Sequence, residues 1–216
     1  MRKNLTELVF ILDESGSMSG LTADTIGGFN SLIAKQKNED GDALVSTVFF
    51  SNDSKVIHDR VKLENVPKLT DRDYIPAGCT ALLDAVGDAV HHIANIHKYA
   101  REEDIPEKTL FVITTDGMEN ASRKYSHKEV KRLIEKVQEE KGWEFVFLGA
   151  NIDAAEAAGS IGIRSENAVD YHADCCGTEV LYEAVGCAVS SIRSKKGISK
   201  SWKRSVEADN MRRKKA

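Results

Sequence analysis

The run Leu8-Val9-Phe10-Ile11-Leu12 is the feature that most limits what this chain can become. Five apolar residues in succession, rich in β-formers, suit a strand buried on both faces, because a half-exposed strand would alternate apolar with polar. The run stops at Asp13 and continues as Glu14-Ser15-Gly16-Ser17-Met18-Ser19-Gly20. Asp13 is therefore expected at the carboxyl end of a central strand. Asp13, Ser15 and Ser17 then make a row of oxygen donors on a turn tightened by Gly16. Such donors suit hard cations: Mg²⁺ prefers oxygen in near-octahedral geometry at roughly 2.0–2.1 Å and gives up its waters reluctantly. A seat built mostly of neutral hydroxyls would leave the ion under-neutralised, with a position for an outside ligand.

A second run, Thr109–Thr115 (TLFVITT), also ends in an acidic residue and a glycine, Asp116-Gly117. Ligands of doubly wound sheets bind outside the carboxyl ends of parallel strands, near the point where strand order reverses. Two strands that each deliver an aspartate to that face make one shared site reasonable. Between them, Ala43–Phe50, the turn Ser51-Asn52-Asp53-Ser54 and Lys55–Leu63 read as an antiparallel hairpin. The segment from Glu64 to Gly78 holds two of the three prolines and reads as a loop across the top of the sheet.

Helical periodicity fills the intervals. Ile26, Phe29, Leu32 and Ile33 mark a helix from about Thr22, ended by Gly41, and its Gly27-Gly28 pair implies close backbone packing near the site. Leu82, Leu83, Val86, Val90 and Ile93 mark the next, which places Thr80 where an N-cap would sit. Val130, Leu133, Ile134 and Val137 mark a third, Glu144–Gly149 a strand, and Asp153 the N-cap of a short helix ending near Gly159 or Gly162. Ala168–Ala173 is expected as a last short strand before a final helix through Leu181, Ala184, Val185, Ala188, Val189 and Ile192. The fold expected is α/β: a Rossmann-like, doubly wound, mostly parallel sheet of about six strands with one antiparallel edge strand and helices on both faces.

Asp13-x-Ser15-x-Ser17 after an apolar strand, Thr80 in Gly78-Cys79-Thr80-Ala81-Leu82, and Asp116 in Thr114-Thr115-Asp116-Gly117 occur in one order. Together they resemble the metal-ion-dependent adhesion site (MIDAS) of von Willebrand factor A (VWA) domains, in the form of small intracellular bacterial-type members. The resemblance spans roughly residues 5 to 195. It implies that Ser15, Ser17 and Thr80 offer hydroxyl oxygens to a Mg²⁺, Mn²⁺ or Ca²⁺ ion, with Asp13 and Asp116 acting directly or through water. Thr80 as a plain helix cap and Asp116-Gly117 as a plain turn are the competing readings. Asn120, Glu119 and Asp84 lie close to these motifs, Glu119 as a candidate for the rim of the site and Asp84 for an acceptor behind it, though solvated surface positions explain both acids as well. Cys79 departs from the family pattern by setting a thiol, a poor Mg²⁺ ligand, next to Thr80.

The 216 residues suit one domain with an appendage, residues 1–195 and 196–216. From Arg193 onward ten lysines and arginines stand against two acids, so the overall charge of −4 divides into an acidic body and a basic tail. That tail shows no sustained apolar face and reads as a solvated extension, with binding to nucleic acid phosphate or to the acidic body of another copy as the alternatives. The amino terminus lacks the pattern of a signal peptide, no apolar run approaches the ~20 residues of a membrane span, and Cys79, Cys175, Cys176 and Cys187 show no C-x-x-C spacing. A cytoplasmic protein with reduced thiols is expected.

Several chemistries lose their signatures. Gly16-Ser17-Met18-Ser19-Gly20 carries methionine at the centre of a would-be nucleophile elbow, a dehalogenase-type phosphotransferase would want an acid where Ser15 stands, and no phosphate-binding G-x-x-x-x-G-K-[ST] loop occurs. His91-His92 sit together on a helix, one expected to pack and the other to be exposed. The function expected is therefore not enzymatic: a metal-dependent protein interaction module, binding an Asp or Glu of a partner and serving assembly or scaffolding. A Mg²⁺-dependent hydrolase of phosphate esters is the alternative.

Overall fold

In the computed structural model, which describes residues 1–213, six strands form one sheet in the order β3-β2-β1-β4-β5-β6. They are β1 (Arg2–Asp13), β2 (Asp42–Phe50), β3 (Ser54–Lys62), β4 (Pro106–Thr115), β5 (Glu144–Ala150) and β6 (Ala168–Tyr171). All neighbours are parallel except β2 and β3, the expected hairpin at one edge. Strand order reverses between β1 and β4, so the carboxyl ends of these two strands border the switch point where such sheets bind ligands. Register sets the two aspartates side by side: Leu12 pairs Thr114, which leaves Asp13 and Asp116 to emerge at one edge.

The apolar run of β1 is central because it serves both faces. Leu8, Phe10 and Leu12 join the core beneath α1 (Thr22–Gln36), α5 (Cys175–Arg193) and α6 (Arg204–Arg213). Val9 and Ile11 join the core beneath α2 (Leu82–Tyr99), α3 (His127–Lys141) and α4 (Ala154–Ser160). Gly28 of α1 is demanded by packing, since a Cβ there would lie 2.1 Å from the Tyr182 ring of α5. The close approach expected of the Gly27-Gly28 pair is thus Gly28 against α5.

Three expectations are corrected. The first helix ends at Gln36 rather than Gly41, because the buried Arg193 guanidinium gathers the carbonyls of Gln36, Glu39, Asp40 and Gly41 into a turn. His91 and His92 are both exposed, one stacked on Tyr125 and the other bonded to Asp59; the buried histidines are His58 and His97. The basic segment is no solvated extension over its described part. Trp202 and Val206 are buried in the main core, and α6 lies along β6, where Lys203 Nζ donates to the Ala168 carbonyl and Asn210 to the Asp170 carbonyl. A strap needs only a few apolar anchors to dock, too few to show as a stripe. Its cations face acids of the body, Lys195 on Glu107, Lys200 on Glu166 and Arg213 on Asp174, while the last of the run Arg212-Arg213-Lys214-Lys215 lies outside the described residues.

Candidate metal centre

The loop after β1 is fixed before any side chain of the site is considered. Glu14 N–H donates to the Phe50 carbonyl, Gly16 N–H to the Gly78 carbonyl, and Ala77 N–H to the Glu14 carbonyl, which lace the Asp13–Gly20 turn to the segment that ends at Thr80. Glu14 also accepts from Ile75 N–H through its carboxylate at 2.6 Å. A third loop joins by a reciprocal pair: Thr80 N–H donates to Asn120 Oδ1 at 2.9 Å and Asn120 N–H to the Thr80 carbonyl at 3.1 Å. Loops from three parts of the chain therefore hold their oxygens at one place.

Those oxygens are the ones singled out in the sequence. Ser17 Oγ donates to Asp116 Oδ1 at 2.6 Å and lies 3.1 Å from Ser15 Oγ. Thr80 Oγ1 stands 3.7 Å from where a Cβ on Gly117 would be, so it borders the residue after Asp116. Asp13 is fully buried; its Oδ1 accepts from Ser15 N–H at 2.7 Å and its Oδ2 from Thr115 Oγ1 at 2.6 Å. Burial pushes the Asp13 carboxyl above its ordinary pKa against the opposing pull of these hydrogen bonds, and the charge of Asp116 raises it further. No lysine, arginine or histidine contributes a contact to Asp13 or Asp116 among the described residues. Two carboxylates and a row of hydroxyls thus sit together without a cation of their own.

This donor set fits a hard divalent ion. Cis oxygens of an octahedron with ligands at roughly 2.1 Å lie roughly 3 Å apart, near the spacings of the Ser15, Ser17 and Asp116 oxygens. Among the described residues no three His, Cys, Asp or Glu side chains gather as a metal site; a carboxylate-poor, hydroxyl-rich seat differs from that kind of cluster. The remaining candidates have other partners. Thr80 is not the N-cap of α2, a position held by Ala81 without a side-chain bond. Glu119 accepts from Leu83 N–H at the start of α2 and from Ala121 and Ser122 N–H. Asp84 accepts from Arg123, Lys124 and Tyr125 N–H, so both acids shape the loop after Asp116. Cys79 is exposed, and its N–H donates to Asn52.

Supporting residues escaped the sequence. Tyr74 is buried under the site and its hydroxyl donates to the Asp13 carbonyl at 2.5 Å. Its signal was a lone aromatic in a polar, proline-bearing loop. Thr115 was visible only as the polar end of an apolar strand, and Asn120 only as a neighbour of the motifs, with nothing to mark it as the partner of the Thr80 backbone.

No protein-family model matches the sequence, and no curated protein is significantly similar to it. Solved structures do match. Proximal thread matrix protein 1 from the mussel byssus, in a structure with a zinc-occupied MIDAS motif, superposes with a TM-score of 0.59 at 16% identity, over 86% of this chain and 46% of that one. A von Willebrand factor type A protein from Catenulispora acidiphila gives 0.57 at 13% identity over 86% and 43%. The ArnB paralog VWA2 from Sulfolobus acidocaldarius gives 0.54 at 21% over 83% and 44%. This chain spans less than half the length of each of these proteins. Its fold is that of von Willebrand factor A domains.

Proposed function

We propose that this chain is a divalent-metal-dependent protein interaction module, not an enzyme, whose seat is formed by Asp13, Ser15, Ser17, Thr80 and Asp116. One observation carries the reading: a fully buried carboxylate, Asp13, meets only neutral donors and a second acid. A buried charge without a counter-charge is costly, so an imported cation is the economical solution. A divalent ion bound here would supply the counter-charge and an open position for a carboxylate oxygen. The residues prepare that role: Ser15 and Ser17 present hydroxyls, Asp13 and Asp116 supply negative charge, and the Thr80–Asn120 backbone pair fixes the third loop. The zinc-occupied MIDAS of the mussel byssus protein supports a divalent ion on this fold.

Mg²⁺ or Mn²⁺ is the natural ion for such oxygens, and the ligand completing the site is an Asp or Glu of a protein partner, bound by a charge-assisted contact that also fixes register. Two of the large apolar side chains left exposed, Ile75 at 63% and Met118 at 76%, flank the seat on neighbouring loops, which suits a face covered by a partner. Assembly or scaffolding in the cytoplasm is the setting we propose. The four thiols are free, and no helix among the described residues is long and apolar enough to cross a membrane. The test is calorimetric titration of Mg²⁺ and Mn²⁺ into metal-free protein, wild type against the Ser15→Ala/Ser17→Ala double variant and Asp116→Ala. Saturable one-site binding lost in both variants is expected. Equal heats in all three proteins would remove the seat.

A further inference from the structure

Beside the seat runs a groove of about 340 Å³ between the loop after β4 and helix α4. Its wall nearest the seat is Gly117, the residue whose Cβ position faces Thr80 Oγ1. Its floor is apolar, built from Leu82, Phe147 and Ile161, all of which are buried, with Ala157 at the side. The exposed Met118 side chain stands at the mouth, and methionine adapts its shape to varied apolar partners.

The rim carries the opposite character. Glu119, Asp153 and Glu156 line the groove, and His127 is the one basic residue among its lining residues. Three basic residues of nearby segments are committed elsewhere: Lys124 to Asp88, Lys131 to Glu135 and Arg164 to Glu166. Among the described residues the three rim acids have no lysine or arginine partner. An apolar floor that opens beside a metal seat and is edged by carboxylates that meet no lysine or arginine selects both a shape and a sign of charge.

We infer that the groove and the seat form one recognition surface for an extended partner segment, in which the acidic residue offered to the metal is followed by an aliphatic side chain and then by lysine or arginine. This rests on the metal-dependent reading above and deepens it. The acid meets the cation held by Asp13 and Asp116, the aliphatic side chain fills the space over Leu82 and Phe147, and the cation reaches Glu156 and Asp153. Charge complementarity decides the occupant, since an acidic segment continuing along the groove would face the three rim carboxylates.

The experiment is a synthetic peptide array with one fixed aspartate and every residue type at each of the two positions on either side. It is probed with the Mn²⁺-loaded full chain and repeated with Asn in place of the fixed Asp and with chelator. Aliphatic and then basic residues after the aspartate should raise binding by about tenfold or more over glycine. Ala157→Leu should remove the aliphatic preference, and the surface change Glu156→Lys should reverse the preference for a basic residue. Both variants should bind Mn²⁺ as wild type does. Binding that needs aspartate and metal but shows no such preference, or a preference both variants retain, overturns the groove and leaves the metal reading standing. Binding indifferent to chelator and to the Asn replacement, or none to any peptide, overturns both. Self-association of the chain abolished by Ala157→Leu would make a second copy the occupant and overturn the peptide assignment.

Discussion

Glu7 and Asp13 lie on the same strand, and both side chains are fully buried, yet they are treated in opposite ways. Glu7 has its counter-charge built in: Arg60 Nε donates to one oxygen at 2.6 Å, and His97 Nε2 lies 2.6 Å from the other. Arg60 sits in the left-handed region, at φ 50°, where β3 departs from regular pairing with β2, a local distortion at the place where the guanidinium is delivered. Asp13 receives only an amide, a hydroxyl and the repulsion of Asp116. The difference is that Glu7 finds its counter-charge within the chain, while Asp13 meets none among the described residues. The middle of β1 is closed internally, while its carboxyl end is organised by three loops around a charge deficit.

The largest effect expected is at the closed end. Glu7→Gln leaves the partly buried Arg60 and the buried His97 without their carboxylate and should cost about 3–5 kcal/mol, read by chemical denaturation, with no change in metal affinity. A loss below about 1 kcal/mol would place the ion pair outside the forces that hold the sheet. Next is the gain at the open end: Mg²⁺ at a hundred times its dissociation constant should raise the unfolding free energy by about 2.7 kcal/mol, and the Ser15→Ala/Ser17→Ala protein should not respond.

How much of this was legible in the sequence follows the same division. The strands, the antiparallel hairpin at one edge and the oxygen row could be read because apolar runs and short motifs are local patterns. Asp13, Ser15 and Ser17 lie within one turn, and Asp116 follows its own strand directly. The internal ion pair could not be read, because Glu7, Arg60 and His97 come from three elements and each looks like a surface residue in its own segment. The strap was missed for a related reason: Trp202 and Val206 bury themselves singly within a basic stretch. Asp84 and Glu119 were noticed near the site, but a sequence does not say that their carboxylates face backbone amides.

A smaller effect sharpens the contrast through pH. Burial raises the folded-state pKa of Asp13 above the ordinary aspartate value, so the fold favours the protonated acid. The stability this contributes is whole at pH values below the ordinary aspartate range and is lost as pH rises through the raised value. In chelator, Asp13→Asn should therefore match wild type below the ordinary aspartate range and be the more stable of the two at pH 7. A variant less stable than wild type at pH 7 would mean that the hydrogen bonds from Ser15 and Thr115 outweigh burial. The smallest effect belongs to Ser17, which is exposed. Ser17→Ala should change metal-free stability by no more than about 0.5 kcal/mol while weakening Mn²⁺ binding in a titration.

The most direct test of the account sets the two acids against each other in one thermal-unfolding series: wild type, Asp13→Asn and Glu7→Gln, each in chelator and in excess Mg²⁺ at neutral pH. The account predicts that wild type and Glu7→Gln both rise on adding the cation, Glu7→Gln from a much lower starting point, while Asp13→Asn begins at or above wild type and does not respond. Asp13→Asn falling in chelator as far as Glu7→Gln, or a wild type indifferent to Mg²⁺, would contradict it, for the buried charge at the carboxyl end of β1 would then need no partner from outside.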